Sequence, residues 1–473
     1  MSQDLRPYPS YKPAKMSWLE QIPSHWVEKR AKYFFREVDE RSETGEEELL
    51  SVSHKTGITP RSEKNVTMFK AESYAGSKLC KPGDIVINTM WAWMAALGVS
   101  SHSGIVSPSY GVYRPLGEDA YSRLFLDNLL RTQSFVSEYI CRSTGIRSSR
   151  LRLYPDQFLR IPFVYPPKGE QGIIEKYLRA KTTQIARFIQ AKRKLIALLN
   201  EQKQAVINHA VTRGLDLNVR LKPSGVDYLG DIPEHWEVLK LKRIVGFNPS
   251  KQESAKYLQR NDNVVFLPME KVSTEGEINC TEVRPVTELW SGFTYFAKND
   301  IVVAKITPCF ENGKGACLDK LETPIGFGTT EFIVMRPGGR ILPKYLYYIT
   351  RFSRFRILGE EAMTGAAGQQ RVPTDFMKNF QCGLPEKSEQ AQIVEQIEDE
   401  LSKVEHLIER AKMEIDLIRE YRTRLISDVV TGKLDVRGIE VEDVDASEVL
   451  GDLDEAEENT LTEEAEEDLS DHD

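Results

Sequence analysis

The nine residues from Trp18 to Trp26 (WLEQIPSHW) return 210 positions later as Tyr228 to Trp236 (YLGDIPEHW). Lys12-Pro13 returns as Lys222-Pro223 at the same offset. Farther on, Gly83-Asp84-Ile85-Val86-Ile87 matches Asn299-Asp300-Ile301-Val302-Val303, and Tyr113-Arg114-Pro115 matches Met335-Arg336-Pro337. At offset 220, Leu126, Arg131, Phe135, Thr144 and Gly145 match Leu346, Arg351, Phe355, Thr364 and Gly365. At offset 219, Glu170-Gln171 matches Glu389-Gln390. The order is kept while the offset drifts by a few residues. Whatever fold this chain adopts must be built twice from one plan of about 215 residues.

Each copy has two parts. In the first, residues 84–88, 300–306, 266–270 and 331–337 read as short buried strands separated by Gly and Pro. Residues 124–139 and 345–358 read as helices. The second part is a rod. Ile393, Ile397, Leu401, Val404, Ile408, Ala411, Ile415, Ile418, Arg422 and Leu425 follow the alternating spacing of four and three that marks a coiled-coil seam. The first copy gives Ile174, Leu178, Thr182, Ile185, Ile189, Lys192, Ile196, Leu199, Lys203 and Val206. Its polar interruptions are Thr182, Lys192 and Lys203. Roughly 40 residues make a rod of about 60 Å. A helix with one apolar stripe needs a cover. Matched length and register favour an antiparallel pairing of the two rods within the chain over pairing with a second chain. The predicted class is α+β with a pseudo-twofold internal repeat. The predicted segments are 1–169 and 217–387 for the mixed domains, 170–216 and 388–436 for the rods, and 437–473 for an acidic tail.

The formal net charge of −8 conceals an asymmetry. Residues 440–473 hold 17 Asp or Glu and no Lys or Arg, so residues 1–439 carry +9. A basic body points towards a polyanion, and the tail composition predicts disorder. The six Cys form no CxxC pair and the seven His form no ligand spacing, so no metal site is expected. No run of about 18 apolar residues exists to cross a membrane, and the N-terminus lacks an apolar signal core. A cytoplasmic protein is the expectation.

Catalytic motifs are missing. Gly313-Lys314-Gly315 and Gly432-Lys433-Leu434 lack the first Gly and the Ser or Thr of a phosphate loop. Asn248-Pro249-Ser250-Lys251 and Tyr165-Pro166-Pro167-Lys168 are distant echoes of a methyltransferase loop, without its Gly-rich turn. The repeated IPxHW element has no charged catalytic companion and reads as structural. No catalytic residue is assigned.

Binding chemistry is better represented. Arg142, Arg147, Arg150 and Arg152 lie in a stretch free of Asp and Glu, with Thr144 and Ser148 between them. Guanidinium grips phosphate, or guanine O6 and N7, with two bonds. The repeat replaces this stretch with residues 364–371, ending in Gln369, Gln370 and Arg371, and Gln suits adenine N6 and N7. A second divergent stretch contributes His102, Ser107 and Tyr110 in the first copy. In the second it contributes Lys305, Thr307, Asn312, Lys314, Thr329 and Thr330. Trp91 and Trp93 precede the first set, and a pair so spaced is more commonly core than surface.

These motifs together resemble the specificity subunit of type I restriction–modification systems. The likeness rests on the repeated KPxxxxWLxxIPxHW-like start, the stretch from Met90 to Pro115, the Thr-Gly loop, and the EQ helix start with its Val-Thr…Leu-Asp end. It runs from Lys12 to Asp435. The resemblance implies two target-recognition domains held apart by two antiparallel helices, each reading half of a bipartite, gapped double-stranded DNA site. It implies no catalysis and no cofactor on this subunit. S-adenosylmethionine is expected on two adenine methylase subunits, and ATP with Mg on two motor-endonuclease subunits.

Overall fold

The computed structural model describes residues 5–54, 56–63, 73–117, 121–145, 151–366 and 368–441. The reading of a disordered tail falls almost wholly outside them. The chain divides into two compact units, Met1–Arg193 with Lys412–Asp473, and Lys194–Ala411. Each unit therefore takes one mixed domain together with a stretch of both long helices.

In unit one, four strands form an antiparallel sheet: β1 (Phe35–Glu37), β2 (Ile85–Ile87), β3 (Leu97–Val99) and β4 (Gly111–Pro115), in the order β1-β4-β2-β3. Unit two repeats the plan with β5 (Val245–Phe247), β6 (Ile301–Ala304), β7 (Gly315–Cys317) and β8 (Phe332–Pro337), in the order β5-β8-β6-β7. Register is conserved too, with Val86 opposite Val112 and Val302 opposite Val334. The central strands β2 and β6 are buried throughout, which is why their sequences run unbroken in Ile, Val and Ala. Just before them, Gly83 (φ 90°) and Asn299 (φ 71°) supply the left-handed turn that Gly and Asn tolerate best.

The following Asp is the reason the repeat preserves both Asp and a distant Arg. Asp84 caps the Lys81 amide at 2.9 Å and receives two bonds from Arg114, both 2.9 Å. Asp300 caps the Ala297 amide at 2.8 Å and receives two from Arg336, both 2.7 Å. Both carboxylates are almost fully buried, so the fork of hydrogen bonds is what makes their burial tolerable.

The predicted helices 124–139 and 345–358 are each broken in two. Arg123–Leu130 (α1) and Gln133–Arg142 (α2) are separated at Thr132, whose backbone is extended and whose Oγ1 bonds the Leu129 carbonyl. Their counterparts are Pro343–Arg351 (α4) and Ser353–Glu361 (α5), broken at Phe352. The predicted strand at 266–270 lies earlier, at Asn263–Leu267, because Pro268 opens a single 3-10 turn.

The rods are Lys168–Arg213 (α3) and Lys387–Val430 (α6), 46 and 44 residues long. In unit one Ile174 and Leu178 share a core with Leu425, Val429 and Val430, while Lys192 meets Glu414 at 2.5 Å. In unit two Leu199 packs with Val404 and Ile408, and Ile207 shares a core with Ile393 and Ile397. Within each unit one helix ascends as the other descends, so the packing is antiparallel. Ile185, Ile189 and Ile415 are buried, but Ile196, Val206, Leu401 and Ile418 are only half-buried. Near the end of α3 the buried face moves to Ile207, Ala210 and Val211, which join the unit-two core. The polar interruptions have partners: Lys192 takes Glu414, Lys203 takes Glu405 at 3.1 Å, and Thr182 bonds the Leu178 carbonyl.

The IPxHW element does have a charged companion, one far away in sequence. Glu170, at the start of α3, accepts from Tyr8 Oη at 2.6 Å and Trp26 Nε1 at 3.0 Å, and lies 2.7 Å from His25 Nε2. Glu389, at the start of α6, repeats the bonds to Trp236 at 3.0 Å and His235 at 2.8 Å. The neighbouring Gln171 and Gln390 each accept from a helix-entry amide, Ser122 or Leu342, and donate to the Pro166 or Pro385 carbonyl. The repeated Glu-Gln pair thus fastens each rod to its mixed domain.

Candidate nucleic-acid interface

Three loops converge at one end of each sheet. In unit one these are the β2–β3 turn, the turn entering β4, and the loop after α2. Asn88 Nδ2 donates to Tyr110 Oη at 3.2 Å, and Thr89 Oγ1 donates to the Ser109 carbonyl at 3.0 Å. The Leu153 amide donates to the Thr89 carbonyl at 2.9 Å. Thr144 and Arg152 exchange two backbone bonds of 3.0 Å, closing the loop between them.

Unit two builds the same frame with other side chains. The Val372 amide donates to the Lys305 carbonyl at 2.8 Å, the Lys305 amide to Glu331 at 2.8 Å, and the Thr307 amide to Gln370 at 3.0 Å. Thr364 and Arg371 close their loop with bonds of 3.1 and 2.9 Å. The tie from the third loop to the first is a backbone bond in both units, whereas the tie between the first two loops runs through the Asn88 and Thr89 side chains in unit one and through the Lys305 amide in unit two.

The candidate residues divide on this frame. Thr144, Arg152, Ser107 and Tyr110 come together in unit one. Lys305, Thr307, Asn312, Lys314, Thr329, Thr330, Gln369, Gln370 and Arg371 come together in unit two. Arg147, Ser148 and Arg150 lie outside the described residues. His102 does not join the group: it sits in the turn after β3, bonded to Ser100, whose amide donates to the Asp84 carbonyl at the opposite end of the β2–β3 hairpin. Arg142 is the last residue of α2, where its Nε is 2.5 Å from the buried Glu138, one turn earlier. It is a structural ion pair rather than an open guanidinium. Lys314 reaches back to the Met269 carbonyl at 3.4 Å.

Arg371 is exposed but engaged, donating Nε and NH2 to Glu331 at 3.0 and 2.8 Å. Those bonds hold the Glu331 carboxyl below its ordinary value. Glu331 is absent from the sequence-derived set, because a lone Glu beside Thr330 carries no sign that an Arg 40 residues on will clamp it. Burial raises the Tyr110 hydroxyl above its usual value, which keeps it protonated and able to donate.

The expectation that Trp91 belongs to the core is overturned. Trp91 is 47% exposed, and Met90 and Met94 are 36% exposed on the same turn. Ala92 and Ala96 take the inner positions, so the large side chains are left outside. Trp93 is half-buried and donates Nε1 to the Met90 carbonyl at 3.0 Å. Arg152 NH2 lies 3.7 Å from Met90 Sδ. Unit one thus offers an apolar and cationic face, and unit two a hydrophilic one with mixed charge. Among the described residues, no cluster of three or more His, Cys, Asp or Glu is placed to hold a metal, and no helix is long and apolar enough to cross a membrane.

No family model matches the chain. Two curated relatives from Escherichia coli are each 36% identical, the EcoEI type I restriction enzyme specificity subunit over 166 residues and the EcoAI one over 188. The matches cover 35% and 39% of this chain. The chain spans only 27% and 31% of those two relatives' length. A third, the MjaVIII specificity subunit of Methanocaldococcus jannaschii, is 26% identical over 331 residues, covering 67% of this chain and 70% of the relative. The chain is a homologue of type I restriction specificity subunits. Solved structures agree at the level of fold. A chain from a study of type I R-M complex assembly and conformational transition superposes with a TM-score of 0.62 at 12% identity, covering 87% of this chain and 99% of that one. The HsdS subunit from Thermoanaerobacter tengcongensis gives 0.52 at 13%, covering 87% and 98%.

Proposed function

We propose that this chain is a non-catalytic DNA-recognition subunit, in which each unit reads one half of a bipartite, gapped double-stranded target. The observation that carries the proposal is the three-loop frame, with matching backbone bonds from Leu153 to Thr89 and from Val372 to Lys305, that recurs in both units with different side chains on it. Reading two different half-sites calls for this: a fixed mount and a variable reading surface. The basic body supplies sequence-independent attraction to phosphate. The names of the curated relatives support the same reading. On it, the chain is a cytoplasmic scaffold for two adenine methylase subunits and two motor-endonuclease subunits. S-adenosylmethionine and ATP with Mg are bound by those partners and not by this chain.

The test is to map methylated adenines in cells carrying the intact system, then repeat with Gln369→Ala/Gln370→Ala. The expected outcome is a gapped two-part motif whose second half alone relaxes. A relaxed first half, or an ungapped motif, refutes the assignment of one half-site to each unit. Saturable S-adenosylmethionine binding by the isolated chain refutes the non-catalytic reading.

A further inference from the structure

Unit two contains a cavity of about 550 Å³ whose walls include Lys203, Gln204, Asn312, Tyr347, Arg351 and Arg356. Lys203 is matched there, held by Glu275 at 2.7 Å and Glu405 at 3.1 Å. The two arginines are bound differently. Arg351 NH1 donates to the backbone carbonyls of Thr274 at 2.5 Å and Gly313 at 2.8 Å. Arg356 NH2 donates to Gln204 Oε1 at 2.7 Å, and its buried Nε has no partner among the described residues. Both guanidinium groups crowd one spot. A Cβ on Gly313 would lie 3.0 Å from Arg351 NH1 and 3.1 Å from Arg356 NH1. Desolvation, followed by the neighbouring Arg351 charge, lowers the Arg356 value below that of an ordinary guanidinium. Among the described residues three carboxylates line the cavity, and each already has a cation: Glu275 and Glu405 share Lys203, and Glu398 takes Lys344 at 2.5 Å, with Glu275 the one that faces this pair.

The first unit shows what this arrangement replaces. At offset 220, Arg351 corresponds to Arg131, which has Asp127 one helical turn earlier at 3.9 Å. Asp127 corresponds to Tyr347, and Val136 to Arg356. The second copy has lost an acid and gained a cation in an otherwise shared frame. Packing does not require that change, since unit one folds without it. An oxyanion seated between the guanidiniums would relieve their repulsion. The cavity also reaches the proposed DNA face directly. Asn312 is exposed on the turn between β6 and β7, one of the three loops of that face.

We propose that Arg351 and Arg356 form a phosphate seat at the edge of the second unit's reading face, taking a phosphodiester of the DNA backbone. The inference rests on the DNA reading above. Such a contact fixes the position of the duplex without reading its sequence.

The test uses the full-length chain assembled with its methylase partners and a fluorescent duplex bearing the mapped target, titrated across salt concentrations. Arg356→Gln is expected to lower the slope of log K against log salt by about one unit, with base preference unchanged. Arg356→Lys, which keeps the charge, is expected to retain the slope. Asn312→Asp sets a carboxylate beside the seat on an exposed position that folding does not depend on. It is expected to lower the slope as well, and it carries the test if Arg356→Gln does not fold. Unchanged slopes in Arg356→Gln and Asn312→Asp, with wild-type binding intact, overturn the seat and leave the DNA reading standing. A wild-type complex that does not bind the duplex removes both. Inorganic phosphate is the remaining arm. If it protects wild type but not Arg356→Gln from thermal unfolding, while the DNA slopes stay equal, the backbone is refuted as its source and a free phosphate group takes its place.

Discussion

Replacing Glu170 with Ala should destabilise unit one more than replacing Glu389 with Ala destabilises unit two, and the structure gives the ratio. Glu170 is 5% exposed at its side chain and serves Tyr8, Trp26 and His25. Tyr8 and Trp26 are themselves buried, so truncation strands two donors that water cannot reach. Each stranded donor costs about 1–3 kcal/mol, which sets the loss at about 4 kcal/mol. His25 is 40% exposed and finds water instead. Glu389 is 27% exposed and serves one buried donor, Trp236, besides the exposed His235. The same arithmetic gives about 2 kcal/mol there. Because a two-unit chain need not unfold in one step, a single melting curve is the wrong assay. Hydrogen–deuterium exchange read by peptide reports the opening of β2 and β4 separately from that of β6 and β8. Equal losses in the two units, or a loss below about 0.5 kcal/mol in unit one, would refute the claim that the buried carboxylate clasps each helix start.

Further outcomes follow from other pairs. Asp84→Ala and Asp300→Ala each remove the buried carboxylate from a guanidinium that keeps a more exposed partner, Glu40 or Glu253, and should cost about 1–3 kcal/mol, read as lost exchange protection in the respective sheet. Ile189→Asp and Ile408→Asp should each bury a charge without a partner, costing several kcal/mol and raising protease sensitivity in the rods; unchanged cleavage would contradict the seam. Arg371 holds Glu331 below its unfolded value of about 4.3, so the contact's stabilisation is complete above that pH and lost as pH falls through the lower folded value. Protection of the Thr364 and Arg371 amides, taken relative to the intrinsic exchange rate at each pH, should therefore fall in acid, and Glu331→Gln should abolish that step.

Much of the fold was legible because its signals are local. The seam spacing marks the rods whatever they pack against, and an unbroken Ile-Val run before a turn marks a central strand. The helix breaks at Thr132 and Phe352 were not legible, since neither position holds Gly or Pro. Among candidate contacts, loops aligned by the repeat came together, as with Thr144 and Arg152 or Thr364 and Arg371. Residues chosen by chemical type alone fared differently. Arg142 met Glu138 and Arg371 met Glu331, because a guanidinium with a carboxylate in reach takes it. His102 failed on hairpin geometry, in which successive turns fall at opposite ends of the sheet.

The sequence by itself determined that there are two copies, that each ends in a long amphipathic helix, and that the body is basic while the tail is acidic. Those are properties of spacing and composition, which survive any arrangement of the chain. Only the tertiary structure decided that Glu170 answers Trp26, that Asp84 answers Arg114, that Trp91 faces outward, and that Arg351 and Arg356 share one cavity. Most of these pairings join residues tens to more than a hundred positions apart. Folding topology brings them together, and burial makes each unpaired donor costly enough to fix its partner.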